Sequence, residues 1–378
     1  MRSVCYAGTY ERAYPRNSLM IQALRDAGVR VEESHQPVFE RSRDKSALGV
    51  AGMLLLALRL LLAYLRLIPD VGLRLLRCDA LVIGYIGQLD VLVLGTVARI
   101  AGRPVVFNPL VSLTDTLVED RHTFRADSLP GRLVRQLDRV SLNMADLVLA
   151  DTHENADYFA THFNLDRNKI AVVQVGVPEE MFYLGRFESE PAKKMDVLFV
   201  GKFIPLHGVD TILRAAAILQ QREFPARIEM VGTGQDYLAA RDLAERLALG
   251  NIVWTDWIAF DGLGDRLRAA DVVLGIFDQG AKAGRVIPNK VHQALACGAT
   301  VITRASPAIE RHLTDGVEIV LVPPADPEAL ADAIESLLGD EQRRAIGAAG
   351  LRSWSKWGSR RALSGQVQHA LERLADSR

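Results

Sequence analysis

The chain has 378 residues, 49% of them hydrophobic and 24% charged, with a formal net charge of −1. That length suits two domains of roughly 100–200 residues, each with its own core, and the balanced charge excludes a nucleic-acid binder dominated by phosphate contacts. Three cysteines, Cys5, Cys78 and Cys297, lie too far apart for a disulfide framework or a zinc site, so a reducing, cytoplasmic compartment is expected.

The first apolar run, residues 3–7, starts without the basic-then-apolar pattern of a signal peptide. Further short β-branched runs follow at residues 29–32, 80–85, 104–108, 147–151 and 170–176, separated by helix-period segments. In the first of these segments Asn17 or Ser18 can cap a helix carrying Leu19, Ala23, Leu24 and Ala27 that stops at Gly28. The second half repeats the pattern, with runs at 196–201, 227–232, 251–255, 272–277, 300–303 and 318–322. Asp326, Pro327 and Glu328 supply a cap, an N1 proline and a first-turn acid for a helix stopped by Gly339. Near-continuous apolar strands joined by helices predict an α/β protein with parallel sheets covered on both faces. Between Val177 and Met195 the periodicity fades. This places an N-terminal domain at 1–177, a linker at 178–195, a C-terminal domain at 196–350, and a final helical segment at 351–378 expected to return to the first domain.

Residues 50–68 are long and leucine-rich enough to consider as a membrane span, but Arg59 at the centre costs roughly 2.5–3.5 kcal/mol on insertion. Lys45, Arg59 and Arg66 recur at multiples of seven, on one helical face, while Leu55, Leu58, Leu62 and Leu65 fall on others. Seven Lys/Arg stand against two Asp between Arg41 and Arg77. A core helix with its arginines in water and a helix lying on an anionic membrane surface, through residues 41–77 on the inner face of the cell membrane, both fit.

In open parallel sheets, ligands bind beyond the carboxyl ends of the strands. Four such loops carry polar chemistry. After the run ending at Gly201, Lys202 and His207 flank a turn into a helix that begins near Gly208. Free N–H groups at a helix start and the small volume of glycine suit a phosphate; the alternative is an ordinary turn with a solvated lysine. A second helix start at Pro288, running to Gly298, has Lys282, Arg285 and Lys290 nearby, which suits a diphosphate or a basic surface loop. Gly232 and Gly234 follow a strand but lack the third glycine of the dinucleotide fingerprint, which argues for a tight turn and against an NAD enzyme. In the first domain Asn108 opens a loop holding Asp115, Asp120, Arg121 and His122. These can polarise an acceptor hydroxyl, bind an anionic acceptor, or form only a polar loop; Gly8 and Thr9 reach the same sheet edge. No Asp-x-Asp metal pair stands at a suitable strand end.

These elements resemble the family-four retaining glycosyltransferases of the GT-B class, over most of the chain and most clearly in its second half. Residues 199–210 resemble the strand–Gly–Arg…Lys–Gly element that holds the donor diphosphate, and residues 231–234 the Gly-x-Gly turn. Residues 270–274 resemble the strand before the donor-sugar loop, 293–302 the Glu-Ala-x-Ala-Cys-Gly-x-Pro-Val-Val run, 322–330 the terminal loop and helix, and 176–182 the Gly-Val-Asp…Phe stretch. The resemblance implies two facing Rossmann-like domains with a cleft between them. It implies retaining transfer of a sugar from a nucleotide diphosphate to a carbohydrate or lipid-linked acceptor, with no cofactor and no essential metal. On the donor side it points to Gly201, Lys202, His207, Gly208, Gly232, Gly234, Lys282, Arg285, Lys290 and Gln293, with base contacts through the backbone near Trp257 and Ile258. On the acceptor side the loops read above supply Gly8, Thr9, Asn108, Asp115, Asp120 and His122, and Lys202, Asp115 and Arg121 are the catalytic candidates.

The chain also departs from the family pattern. Lys202 stands for the usual phosphate arginine and His207 for the usual lysine. Two glutamates eight positions apart are replaced by Arg285 and Gln293, and the first-domain catalytic histidine falls near Asn108. These departures keep two alternatives open: a catalytically silent protein that retains the fold, and a sugar-nucleotide epimerase.

Overall fold

A strand buried on both faces leaves a continuous apolar run in the sequence, and the twelve runs above each overlap one strand. The structure, a computed structural model, describes residues 1–12, 14–38, 50–185 and 194–376. The first sheet contains β1 (Ser3–Gly8), β2 (Arg30–His35), β3 (Ala80–Ile83), β4 (Val105–Leu110), β5 (Leu147–Ala150) and β6 (Ile170–Val172). The second contains β7 (Met195–Val200), β8 (Ala226–Val231), β9 (Ile252–Thr255), β10 (Val272–Leu274), β11 (Val301–Arg304) and β12 (Val320–Val322). All strand pairs within the two sheets are parallel. Successive side chains serve opposite faces: Cys5 and Ala7 enter one core while Val4 and Tyr6 enter another.

The helices of the first half are α1 (Pro15–Asp26), α2 (Val50–Leu75), α3 (Gln88–Ile100), α4 (Leu129–Met144) and α5 (His153–Phe163). Those that follow are α6 (Val209–Gln221), α7 (Tyr237–Arg246), α8 (Phe260–Ala269), α9 (Ala281–Arg285), α10 (Asn289–Ala296), α11 (Pro307–Glu310), α12 (Pro327–Ser336), α13 (Asp340–Trp357) and α14 (Arg360–Asp376). Asp326 caps α12, its side chain accepting from Ala329 N at 3.0 Å. Helix α1 begins earlier than its sequence suggests, with Tyr14 as N-cap. Asn17 lies inside it because its amide is engaged elsewhere: Oδ1 accepts from Tyr6 Oη and Tyr85 N, and Nδ2 donates to Tyr85 O.

The chain divides into two compact units, Met1–Val175 with Leu363–Arg378, and Gly176–Ala362. In the first, Leu363, Val367, Ala370, Leu371 and Leu374 of α14 pack in one core with Val4, Tyr6, Met20 and Leu24. In the second, Val177 and Phe182 are buried in a core with Val273, Leu295 and Trp354. Residues 186–193, within the stretch expected as a linker, lie outside the described residues.

Strand order decides where ligands can bind. The first sheet runs β2-β1-β3-β4-β5-β6 and the second β9-β8-β7-β10-β11-β12. The order therefore reverses between β1 and β3 in the first unit and between β7 and β10 in the second. Loops at such a switch point diverge and leave a crevice beyond the strand ends.

Candidate functional site

At the switch point of the second unit the loops leaving β7 and β10 meet. Gly201 follows β7, and its N–H donates to Val231 O at 2.9 Å. A 3-10 turn, Pro205–His207, leads into Gly208, which adopts a left-handed φ of +59° and forms the N-cap of α6. A Cβ at Gly208 would lie 2.6 Å from Asp278 N, so only glycine fits both the conformation and the space. His207 O accepts from Phe277 N at 3.1 Å, tying this turn to the loop after β10. No side chain caps α6 or α10. Thr211 N and Val291 N bond back to Gly208 O and Pro288 O at 3.1 and 2.9 Å, and the N–H groups before them are left to an anion or solvent.

Lys290, the second residue of α10, reaches to this turn. Its Nζ lies 3.9 Å from the centroid of Phe199 and 2.7 Å from where a Gly201 Cβ would stand. The side chain is buried and Nζ has no hydrogen-bond partner. Burial pushes the amine well below its ordinary pKa. The ring face returns about 0.5–2 kcal/mol, less than the several kcal/mol needed to take an ammonium out of water, so burial wins. His207 is also buried, and its Nδ1 donates to Lys202 O, which fixes the proton on that nitrogen. Burial holds its pKa well below the usual imidazole value. The Lys202 side chain itself is exposed.

Gly232 and Gly234 serve packing here. A Cβ at Gly232 would collide with Gly201 O, and one at Gly234 would lie 2.5 Å from Phe203 O. Gly232 N donates to Thr255 O at 2.8 Å and Phe203 N to Thr233 O at 3.0 Å, so the β8 turn seats directly against the β7 turn. Lys282 and Gln293 are buried and Arg285 is half-buried. Ile258 packs half-buried against the core, next to Trp257, which is 72% exposed. Gly201, His207, Gly208 and Lys290 thus converge on one turn.

In the first unit the switch point holds one of the chain's own carboxylates. Asp90 accepts from Thr9 N at 2.8 Å, from Thr9 Oγ1 at 3.1 Å and from Tyr64 Oη at 2.9 Å, and a Cβ at Gly8 would collide with it. Burial raises its pKa to about 6, against those hydrogen bonds, which lower it. Along the same edge, a register shift in β4 between Phe107 and Leu110 frees Asn108 from regular pairing. Asn108 Oδ1 accepts from Arg16 Nε at 2.9 Å, and Arg16 Nη1 donates to Val173 O and Gln174 O at 2.9 and 2.6 Å. Both side chains are fully buried. Asp115 is buried close enough to Asp151 to raise its pKa, although burial is the larger cause and Arg16 opposes both. Asp120 and Arg121 are half-buried; His122 is exposed and its Nδ1 bonds Val118 O at 3.1 Å. Arg16, Asp90 and Tyr64 escaped the sequence reading. Arg16 carries no motif, while Asp90, three residues after Gly87 at a helix start, carried a readable signal.

Helix α2 buries Ala63, Leu67, Val71 and Leu75. Leu54, Leu55, Leu58, Leu61, Leu62, Leu65, Ile68 and Leu73 are exposed on the other side, bordered by exposed Arg59 and Arg66. The arginines face water as expected of a core helix, but so do most of the leucines. Among the described residues no helix is long and apolar enough to cross a membrane, and no group of three or more His, Cys, Asp or Glu is set to hold a metal ion. Residues 41–49 of the basic stretch lie outside the described residues.

Comparison with known proteins agrees with this architecture. Residues 3–176 match the glycosyl transferase 4-like domain and residues 194–340 the glycosyl transferases group 1 domain. A D-inositol 3-phosphate glycosyltransferase of Kribbella flavida is 29% identical over 256 residues, 62% of this chain and 59% of that protein. One from Geodermatophilus obscurus is 30% identical over 234 residues, 56% of this chain and 50% of its own length. The chain thus spans a little over half the length of these curated relatives. Among solved structures, sucrose-phosphate synthase of Thermosynechococcus elongatus aligns over the whole of both chains with a TM-score of 0.74 at 16% identity. Anabaena HepE in complex with UDP aligns over 98% of this chain and all of its own with a TM-score of 0.70, also at 16% identity. Between them the two domain matches take in most of the chain, and the chain belongs to the group 1 glycosyltransferases, family four of the GT-B class.

Proposed function

We propose that this protein is a retaining glycosyltransferase that moves a sugar from a nucleotide-diphosphate donor to a lipid-linked or polysaccharide-precursor acceptor. The observation that supports it most is the turn at Gly201–Gly208, where two helix starts without side-chain caps and a buried lysine converge at a switch point. In this reading those amides and Lys202 meet the charge that builds on the departing diphosphate. Gln293 hydrogen-bonds the ribose, and Lys282 and Arg285 add positive charge beside the sugar. The C1–O bond to the β-phosphate breaks as the acceptor oxygen bonds C1 on the same face, and the acceptor proton passes to the departing phosphate oxygen. No metal and no side-chain base are required. Asp115 and Arg121 orient the acceptor from the first unit, near Gly8, Thr9, Asn108, Asp120 and His122.

The membrane-surface reading of α2 belongs with this proposal. A helix with one buried stripe, a broad exposed leucine face and arginines along its border suits the interface of an anionic bilayer. This is where a lipid-linked acceptor on the cytoplasmic side would be met. The silent alternative draws on Asn108 and Arg285, which replace expected catalytic groups. Incubation with a panel of nucleotide sugars separates the readings. Slow donor hydrolysis supports transfer, an epimerised donor supports the epimerase, and no turnover or binding of any donor supports the silent protein. Unchanged hydrolysis in EDTA is expected; its loss, restored by a divalent cation, would overturn metal independence.

A further inference from the structure

We propose that Lys290 is a proton-accepting group under the donor site: it is neutral while the site is empty and takes up a proton when a nucleoside diphosphate docks on the Gly201–Gly208 turn. This rests on the reading that a nucleoside diphosphate binds at that turn. The geometry is specific. Lys290 Nζ touches the face of Phe199, lies where a side chain on Gly201 would begin, and makes no hydrogen bond. A lysine with only structural work would find a carboxylate or carbonyl, or lead its amine to water; this one is buried against a ring and a glycine.

The titratable and charged groups on the surrounding elements do not offset its burial. On the turn, His207 is neutral and already commits Nδ1–H to Lys202 O. On α10, His292 Nδ1 accepts from Trp354 Nε1 at 3.2 Å. On β7, Asp196 at the strand's other end pairs with Arg266 at 2.8 Å. In the loop after β10, Asp278 Oδ2 accepts from Gly280 N at 2.7 Å. Among the described residues nothing negative holds a proton on Lys290 until a ligand brings charge. A diphosphate resting on Gly201 would be that charge, and the low local dielectric that keeps the amine neutral would then make the attraction strong. Linkage requires the converse: binding must weaken as protons become scarce.

The test is calorimetric titration of the full chain with UDP, GDP, ADP and dTDP between pH 7.5 and 9, where the nucleotide phosphates, titrating near about 6, are fully ionised. Each titration is repeated in buffers of different ionisation enthalpy. For whichever nucleotide binds, uptake of about one proton is expected, and Kd should rise about tenfold per pH unit. Lys290→Met should remove both the uptake and the slope, bind more weakly at pH 7.5, and melt no lower than the wild type, because methionine fits an apolar channel. His207→Asn, which keeps a donor toward Lys202 O, should retain the uptake. Binding with no uptake in the wild type, or uptake that survives in Lys290→Met and vanishes in His207→Asn, overturns the proposal while leaving donor binding intact. No binding of any of the four nucleotides overturns both. If Lys290→Met does not fold, the wild-type proton count together with His207→Asn decides the matter.

Discussion

Replacing Gly208 by alanine perturbs the turn without touching any charged group. At φ +59° an L-residue pays roughly 1–2 kcal/mol for the left-handed conformation. The new Cβ would stand 2.6 Å from Asp278 N and 2.7 Å from Phe277 C, both backbone atoms that cannot rotate away. The start of α6 must therefore back off from the loop after β10. This lengthens the 3.1 Å bond from Phe277 N to His207 O, a loss of about 1 kcal/mol. Together these give a destabilisation of about 2–3 kcal/mol. For a unit spanning residues 176–362 this lowers the melting midpoint by roughly 4–12 °C, at about 2–4 °C per kcal/mol. Gly365→Ala is the control: it lies exposed inside α14 with nothing within 4 Å of its Cβ, and should gain about 0.5–1 kcal/mol from helix propensity. Differential scanning fluorimetry on both variants, with nucleotide titration of Gly208→Ala, tests the reasoning. A Gly208→Ala protein melting within 2 °C of wild type and binding nucleotide equally well would refute it, since the turn would then tolerate a side chain where a phosphate is meant to rest.

Lys202→Ala should weaken donor affinity and slow turnover by at least about tenfold, the effect of removing one charge-assisted contact of about 1.5–3 kcal/mol; unchanged values for both would remove Lys202 from the site. Asp90 should make the fold less stable as pH rises. Its folded pKa of about 6 exceeds the ordinary 3.8, so the folded state holds the extra proton, and stability present at low pH is lost between those values. At 1.36 kcal/mol per unit, wild type should lose about 2 kcal/mol relative to Asp90→Asn between pH 4 and 7, the unfolded carboxyl being already more than half ionised at pH 4; parallel urea-denaturation curves for the two proteins would contradict this. Arg59→Gln with Arg66→Gln should cut partitioning onto phosphatidylserine-containing vesicles roughly 30-fold, at about 1 kcal/mol per arginine. Equal sedimentation of both proteins with anionic and neutral vesicles would argue against a charge-guided membrane face.

Much of the architecture could be read locally. A parallel strand covered on both faces needs apolar residues at nearly every position, so central strands announce themselves without knowledge of their neighbours, whereas the edge strand β2, Arg-Val-Glu-Glu-Ser-His, does so only in part. Helix starts were legible where the cap is made within the segment, as at Asp326. They were misread where a residue's polar atoms serve a distant partner, as with Asn17, whose amide joins Tyr6 and Tyr85 rather than α1. Strand ends were overextended at Tyr85, Gly176 and Phe277, because a strand ends where pairing ends and pairing is not local.

For the site, the amino-acid sequence by itself determined the cast: a glycine turn after β7, a basic segment leading into α10, and a leucine-rich helix with periodic arginines. Tertiary structure alone decided their relations. It brought Lys290 beneath Gly201, across almost ninety residues, turned Gly232 and Gly234 inward as packing glycines, and filled the first switch point with Asp90. It also decided that α2 buries the stripe Ala63, Leu67, Val71 and Leu75 and leaves most of its other leucines outside. The physical reason is common to all of these. Periodicity and composition report what a segment can bury or bind, but burial and charge are properties of neighbours, and neighbours are assigned by strand order.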